Sequence, residues 1–151
     1  MMPPQKGQEL SFGEFVARYQ STEAALEAYV AGLPLWVNVW RAWMFLIFGL
    51  AVLFVIWRVE ARWLAVTMVA SLFAYNLASM LWGVGRFPSI AFVTLWSPLA
   101  LYFQRRRGRL ARASRFDRVY YAWHTLALAT LVVSLGFDTY NVLYALLRER
   151  S

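Results

Sequence analysis

The chain contains no cysteine, which excludes disulfides, thiolate metal centres and thiol redox chemistry. It has one lysine, Lys6, and one histidine, His124. A Ser–Lys dyad within a membrane is therefore ruled out, and a zinc site lacks its other ligands. A bis-histidine haem cannot be assembled within one copy, and no methionine spacing marks a second axial ligand. Acidic groups are scarce, eight against fifteen basic residues. No GxSxG element is present, and an intramembrane aspartyl protease needs two facing carboxylates where the expected spans supply Asp138 alone. GVGRFP, residues 83–88, lacks the strand-then-helix setting of a phosphate loop and reads as a tight turn. These absences argue against an enzyme and against a bound cofactor or metal. His124 is expected to be hydrogen-bonded near a membrane boundary.

What the chain has in excess is apolar surface. Hydrophobic residues make up 61% of it, against roughly 45–50% in soluble domains, and the mean hydropathy is +0.49. A membrane-crossing helix needs about 20 mostly apolar residues. Four segments approach this, at 35–57, 63–82, 88–103 and 119–147. The third is short and contains Pro98, which a packed bundle tolerates as a bend. The fourth is too long for a simple crossing and is expected to tilt or leave the bilayer. No basic leader or cleavage site precedes the first run, so the spans are expected to remain in the mature protein.

Residues 1–34 read differently. Ser11 and Glu14 have the spacing of a capping box, and Gly32 with Pro34 forms a stop signal. Phe12, Phe15, Val16, Tyr19, Leu26, Val30 and Leu33 recur at helical spacing between them. One or two amphipathic helices are expected, lying at the interface or folded onto the bundle.

The loop 104–118, QRRRGRLARASRFDR, carries seven arginines in fifteen residues. Because it joins two expected spans, topology explains it better than nucleic acid, and no nucleic-acid partner is expected. Anionic lipid headgroups are the expected contacts of Arg105, Arg106, Arg107 and Arg109. With this loop and the Arg58–Arg62 turn on the cytoplasmic side, nine basic residues lie inside and six outside. Both ends of the chain then lie outside, with the spans in a bacterial inner (plasma) membrane.

Polar residues also occur within the spans. In an up-down arrangement, Asn38 and Arg41, then Asn76, then Asp138 and Asn141 fall near the same membrane face. Arg41 is expected to pair with Asp138. On the last span, Tyr120, His124, Ala127, Thr130, Ser134, Asp138, Asn141 and Ala145 form one small and polar stripe. Thr67, Ser71, Ala74 and Ala78 form another on the second span, and the two stripes are expected to face each other. Trp36, Trp40, Trp43 and Trp82 suggest an aromatic belt at one face, and Trp57, Trp63 and Trp123 at the other.

The expected fold is all-α: an integral-membrane four-helix bundle with an amphipathic N-terminal helix and a short tail at 148–151. The expected role is a non-enzymatic structural or accessory component of a membrane complex or homo-oligomer. The alternative is an oligomeric small channel or transporter using the Arg41–Asp138 region, with a water-accessible cavity there.

Overall fold

The computed structural model describes residues 11–149, and among these it is all α-helical, without strands. Lys6 and Arg150, both counted on the outer side above, lie outside the described residues. Helix α1 spans Phe12–Ala31 and α2 spans Leu35–Gly49, tightening into a 3-10 turn at Leu50–Leu53. Helix α3 spans Val59–Trp82. A 3-10 turn at Phe87–Ser89 leads into α4, Ile90–Arg107, and α5 spans Arg115–Arg148.

Local chemistry accounts for the helix ends. Ser11 accepts the Glu14 backbone N–H while the Glu14 carboxylate accepts that of Ser11, the reciprocal pair its spacing implied. Gly32 closes the same helix, which is a single one. A second capping box, Ser114 with Asp117, starts α5 and went unnoticed in the sequence. It fixes the start at Arg115, four residues before the expected 119. Helix α3 likewise begins at Val59 rather than 63, after Arg58 in an extended conformation. At the other end of α3, Gly83 takes φ +85°, a backbone conformation that side-chain-bearing residues rarely adopt.

Helix α2 together with its 3-10 turn (Leu35–Leu53), α3 and α5 are long and apolar enough to cross a membrane. Helix α4 does not reach that standard, so length and composition support three of the four expected spans. The physical reason lies at its end: α4 closes on Arg105, Arg106 and Arg107, so only residues 90–103 are mostly apolar. Its path is nonetheless that of a bundle member. At its start Ser89 lies beside Asp138, and near its end Arg106 meets Glu60 in the first turn of α3. Helix α3 therefore ends at one end of the bundle and α5 begins at the other, and α4 carries the chain back. Eighteen residues at 1.5 Å per residue give it a length of ~27 Å.

The core lies between α2, α3, α4 and α5. Phe48, Phe54, Trp96, Leu99, Phe103, Tyr120, Trp123 and Leu131 are buried in it. Helix α4 packs closely against α5 and then α3, whereas α3 and α5 make little direct backbone contact. The two small stripes thus do not face each other. They receive bulky side chains from α4 and α2 instead. Trp96 of α4 donates to Ser71 Oγ at 2.6 Å, and Trp43 of α2 donates to Thr130 Oγ1 at 3.2 Å. Ser134 Oγ points at Met44 Sδ, 2.9 Å away. The inward orientation of the α5 stripe holds from Tyr120 through Ser134, all buried.

Helix α1 lies on the second half of α3. Tyr19 packs on Phe73 with ring centroids 5.5 Å apart, and Arg18 Nη2 donates to the Met80 carbonyl at 3.1 Å. That carbonyl belongs to the last turn of α3, where acceptors lack helical donors and a cation is favoured. No α1 residue is fully buried.

Candidate functional site

The bundle has two polar clusters, one at each end. The arginine end holds the start of α3, the end of α4 and the start of α5. Glu60, in the first turn of α3, is 2% exposed. Its Oε1 accepts from Arg106 Nε at 2.7 Å and its Oε2 accepts from the Tyr120 hydroxyl at 3.0 Å. A buried carboxylate is stable only when its charge and lone pairs are satisfied, and here one cation and one hydroxyl divide that task. Beside it Arg58 pairs with Asp117 and lies over the Tyr120 ring, 4.7 Å from its centroid. Asp117 thus caps α5 and holds Arg58 at once. Arg62 reaches back to the Val55 and Ile56 carbonyls at 2.7 and 2.8 Å, supplying donors to the chain that leaves α2.

The remaining members of this end are aromatic. Trp123 is buried, not part of an exposed belt, and its indole donates to the Ile47 carbonyl at 2.8 Å. Where an α-helix tightens into 3-10, partners shift from i−4 to i−3 and a carbonyl is released for an outside donor. His124 has no exposed surface and stacks on Phe103 at 4.4 Å with the rings 9° from parallel. Among the described residues neither ring nitrogen has a hydrogen-bond partner, contrary to the expected hydrogen-bonded histidine. Exposed tryptophans flank each end: Trp57 and Trp63 here, Trp36 and Trp82 at the other.

The far end collects the residues singled out from the sequence. Asn38 and Arg41 lie at the start of α2, Asn76 near the end of α3, Asp138 and Asn141 late in α5. They share this end, but the expected pair is absent. Among the described residues the ion pairs are Arg58–Asp117 and Arg106–Glu60. Arg41 instead donates to Asn38 Oδ1 at 3.4 Å, one turn back on its own helix, and Asn38 donates to the Leu33 carbonyl at 3.3 Å. Asp138 lies beside Ser89 at the start of α4. Tyr75 feels the charges of both Arg41 and Asp138, so the two belong to one neighbourhood without touching. Asn76 Oδ1, Ser79 Oγ and Trp40 Nε1 are buried there without partners among the described residues.

Two surface hollows lie at the far end. One, of ≈ 390 Å³, is bordered by Tyr29, Arg86, Tyr144 and Arg148. The other, of ≈ 330 Å³, is apolar and bordered by Trp36, Trp40, Trp43 and Phe137. Neither is lined by Asn76 or Asp138. Among the described residues no group of three or more His, Asp or Glu side chains is placed to hold a metal ion.

Glu60 was missed because the span was expected to begin at 63. Its signal is positional: Glu60, Leu64, Thr67 and Ser71 continue one stripe at four- and three-residue steps toward the helix start. Of the expected headgroup arginines, Arg106 is committed to Glu60, while Arg105 and Arg109 are exposed and Arg107 is partly buried. Comparisons with protein-family models, curated proteins and solved structures find no match to this chain.

Proposed function

We propose that the chain is a non-enzymatic structural or accessory component of a membrane complex, or of a homo-oligomer, crossing the plasma membrane four times. The observation that carries this reading is how little of each candidate span the chain covers by itself. Only 17%, 28% and 28% of the three hydrophobic windows are buried within it. The rest of that surface calls for lipid or the helices of other subunits. At the same time the most deeply buried carboxylate, Glu60, is neutralised internally, as a structural tie requires.

In this reading α4 completes the four crossings, with its terminal arginines extending to the headgroups. Loop 104–118 lies in the cytoplasm against anionic lipid, and both ends of the chain lie on the other side. A reporter fused near Gly108 should give the cytoplasmic signal, and one fused after Ser151 the periplasmic signal. The same side for both would remove α4 as a crossing. Purification in mild detergent, followed by mass measurement of the intact particle, should find more than one chain or additional subunits. A bare monomer would contradict the accessory role.

One observation favours a second reading, a small oligomeric channel or transporter. The unpartnered polar atoms of Asn76, Ser79 and Trp40 are such as a hydrated path would satisfy. The cysteine-free chain makes the choice direct: Asn76→Cys should resist a membrane-impermeant thiol reagent if the far end is dry. Rapid labelling would move the assignment to transport.

A further inference from the structure

The interior of the arginine end absorbs two of the local cations, Arg58 and Arg106. The loop side of α5 does not. Arg107 and Arg112 both lie over the ring of Tyr121, at 5.6 and 4.2 Å from its centroid, and among the described residues neither has a carboxylate partner. Two guanidinium groups on one ring repel each other unless an anion joins them. Arg107 Nε is buried and has no acceptor among the described residues. One helical turn beyond Tyr121, the Thr125 hydroxyl is also buried and without a partner. His124, wholly buried with both nitrogens unpartnered, is adjacent in sequence and within electrostatic reach of Arg107. A buried, unused guanidinium N–H on a ring shared by two cations, with an unused hydroxyl one turn along the same helix, is the chemistry of an oxyanion site, since buried polar groups rarely go unpaired.

We propose that Arg107, Arg112, Tyr121 and Thr125 form a discrete site for the phosphodiester of an anionic lipid headgroup. Arg107 and Arg112 supply charge and N–H donors, Tyr121 holds the two guanidinium planes in place, and Thr125 supplies a hydroxyl. The position suits a headgroup: the site lies at the end marked by Trp57 and Trp63, where the basic loop leaves the bundle. It is narrower than a diffuse attraction of the whole loop, because Arg105 and Arg109 take no part. The inference rests on the membrane reading. A chain that fails to fractionate with membranes would end that reading before any lipid is added.

The test is native mass spectrometry of the full chain, delipidated in detergent and titrated with phosphatidylglycerol or phosphatidylcholine. The wild type should retain phosphatidylglycerol in preference. Arg107→Gln with Arg112→Gln should weaken retention about tenfold or more, the scale of losing charge-assisted hydrogen bonds. Arg105→Gln with Arg109→Gln removes the same charge and should stay within about twofold of wild type if contacts rather than net charge decide. Arg107→Lys keeps the charge and removes the Nε donor, so it remains informative where the glutamine pair fails to fold. It should lose most of the preference. Equal losses from both glutamine pairs, full retention by Arg107→Lys, or equal binding of the two lipids would overturn the site. Displacement of phosphatidylglycerol by millimolar inorganic phosphate would assign it to a soluble phosphate and overturn the lipid.

Discussion

The two ends of the bundle treat ionisable residues in opposite ways. At the arginine end two ion pairs join different helices, Glu60 with Arg106 and Arg58 with Asp117, while Arg107 and Arg112 share the Tyr121 ring. At the far end Arg41 turns to Asn38 on its own helix and Asp138 to Ser89, leaving the two charges apart. Geometry explains the difference. Three helix ends converge at the arginine end, within reach of long side chains, and α5 is pinned there by its own cap. At the far end Arg41 is partly exposed near its helix start, where a long side chain can reach interfacial water. A charge that can escape to water has less need of a partner in the interior. Shared location at a membrane face is therefore not evidence of pairing.

The contrast can be broken most sharply at Glu60. Replacing it with alanine strands Arg106 and the Tyr120 hydroxyl, and should cost ~3 kcal/mol. That is the lower part of the range for severed buried pairs, because Arg106 is 40% exposed. Thermal unfolding in a single detergent would register it. A loss indistinguishable from zero would mean that the arginine end does not tie the bundle together.

A smaller effect of opposite sign is expected one turn further along α5. His124→Phe keeps the stack on Phe103 and removes two unpartnered nitrogens, so it should stabilise the fold by ~1 kcal/mol. Destabilisation in the same assay would show that the imidazole has a partner such as bound water. The smallest change belongs to the far end. Asp138→Asn should shift stability by less than ~1 kcal/mol, since Asp138 has no ion pair among the described residues to lose and the amide keeps its size. If stability holds but an uptake or conductance activity of the reconstituted protein disappears, the far end is a transport site.

How far the sequence foretells this arrangement depends on the kind of signal. Local chemistry is legible: the Ser11–Glu14 cap and the Gly32 stop are found as expected, as are the inward residues from Tyr120 to Ser134. Such features depend on neighbours within a few positions. Which stripe faces which helix is not legible, since α4 intervenes between α3 and α5 and composition alone is silent about insertion order. The Glu60 site was hidden by a four-residue error in where α3 begins, enough to move a carboxylate from a loop into the interior. Trp123 shows the same limit: a tryptophan near a span end can serve an interface or fill a core, and only the released Ile47 carbonyl decides.

The claim that pairing separates the two ends is tested most directly by two double-mutant cycles in the same detergent. One combines Glu60→Gln with Arg106→Gln, the other Asp138→Asn with Arg41→Gln. The first should be non-additive by ~1 kcal/mol or more, because one interaction is lost only once, and the second additive within ~0.5 kcal/mol. Additivity at Glu60–Arg106 together with strong coupling at Arg41–Asp138 would contradict the account.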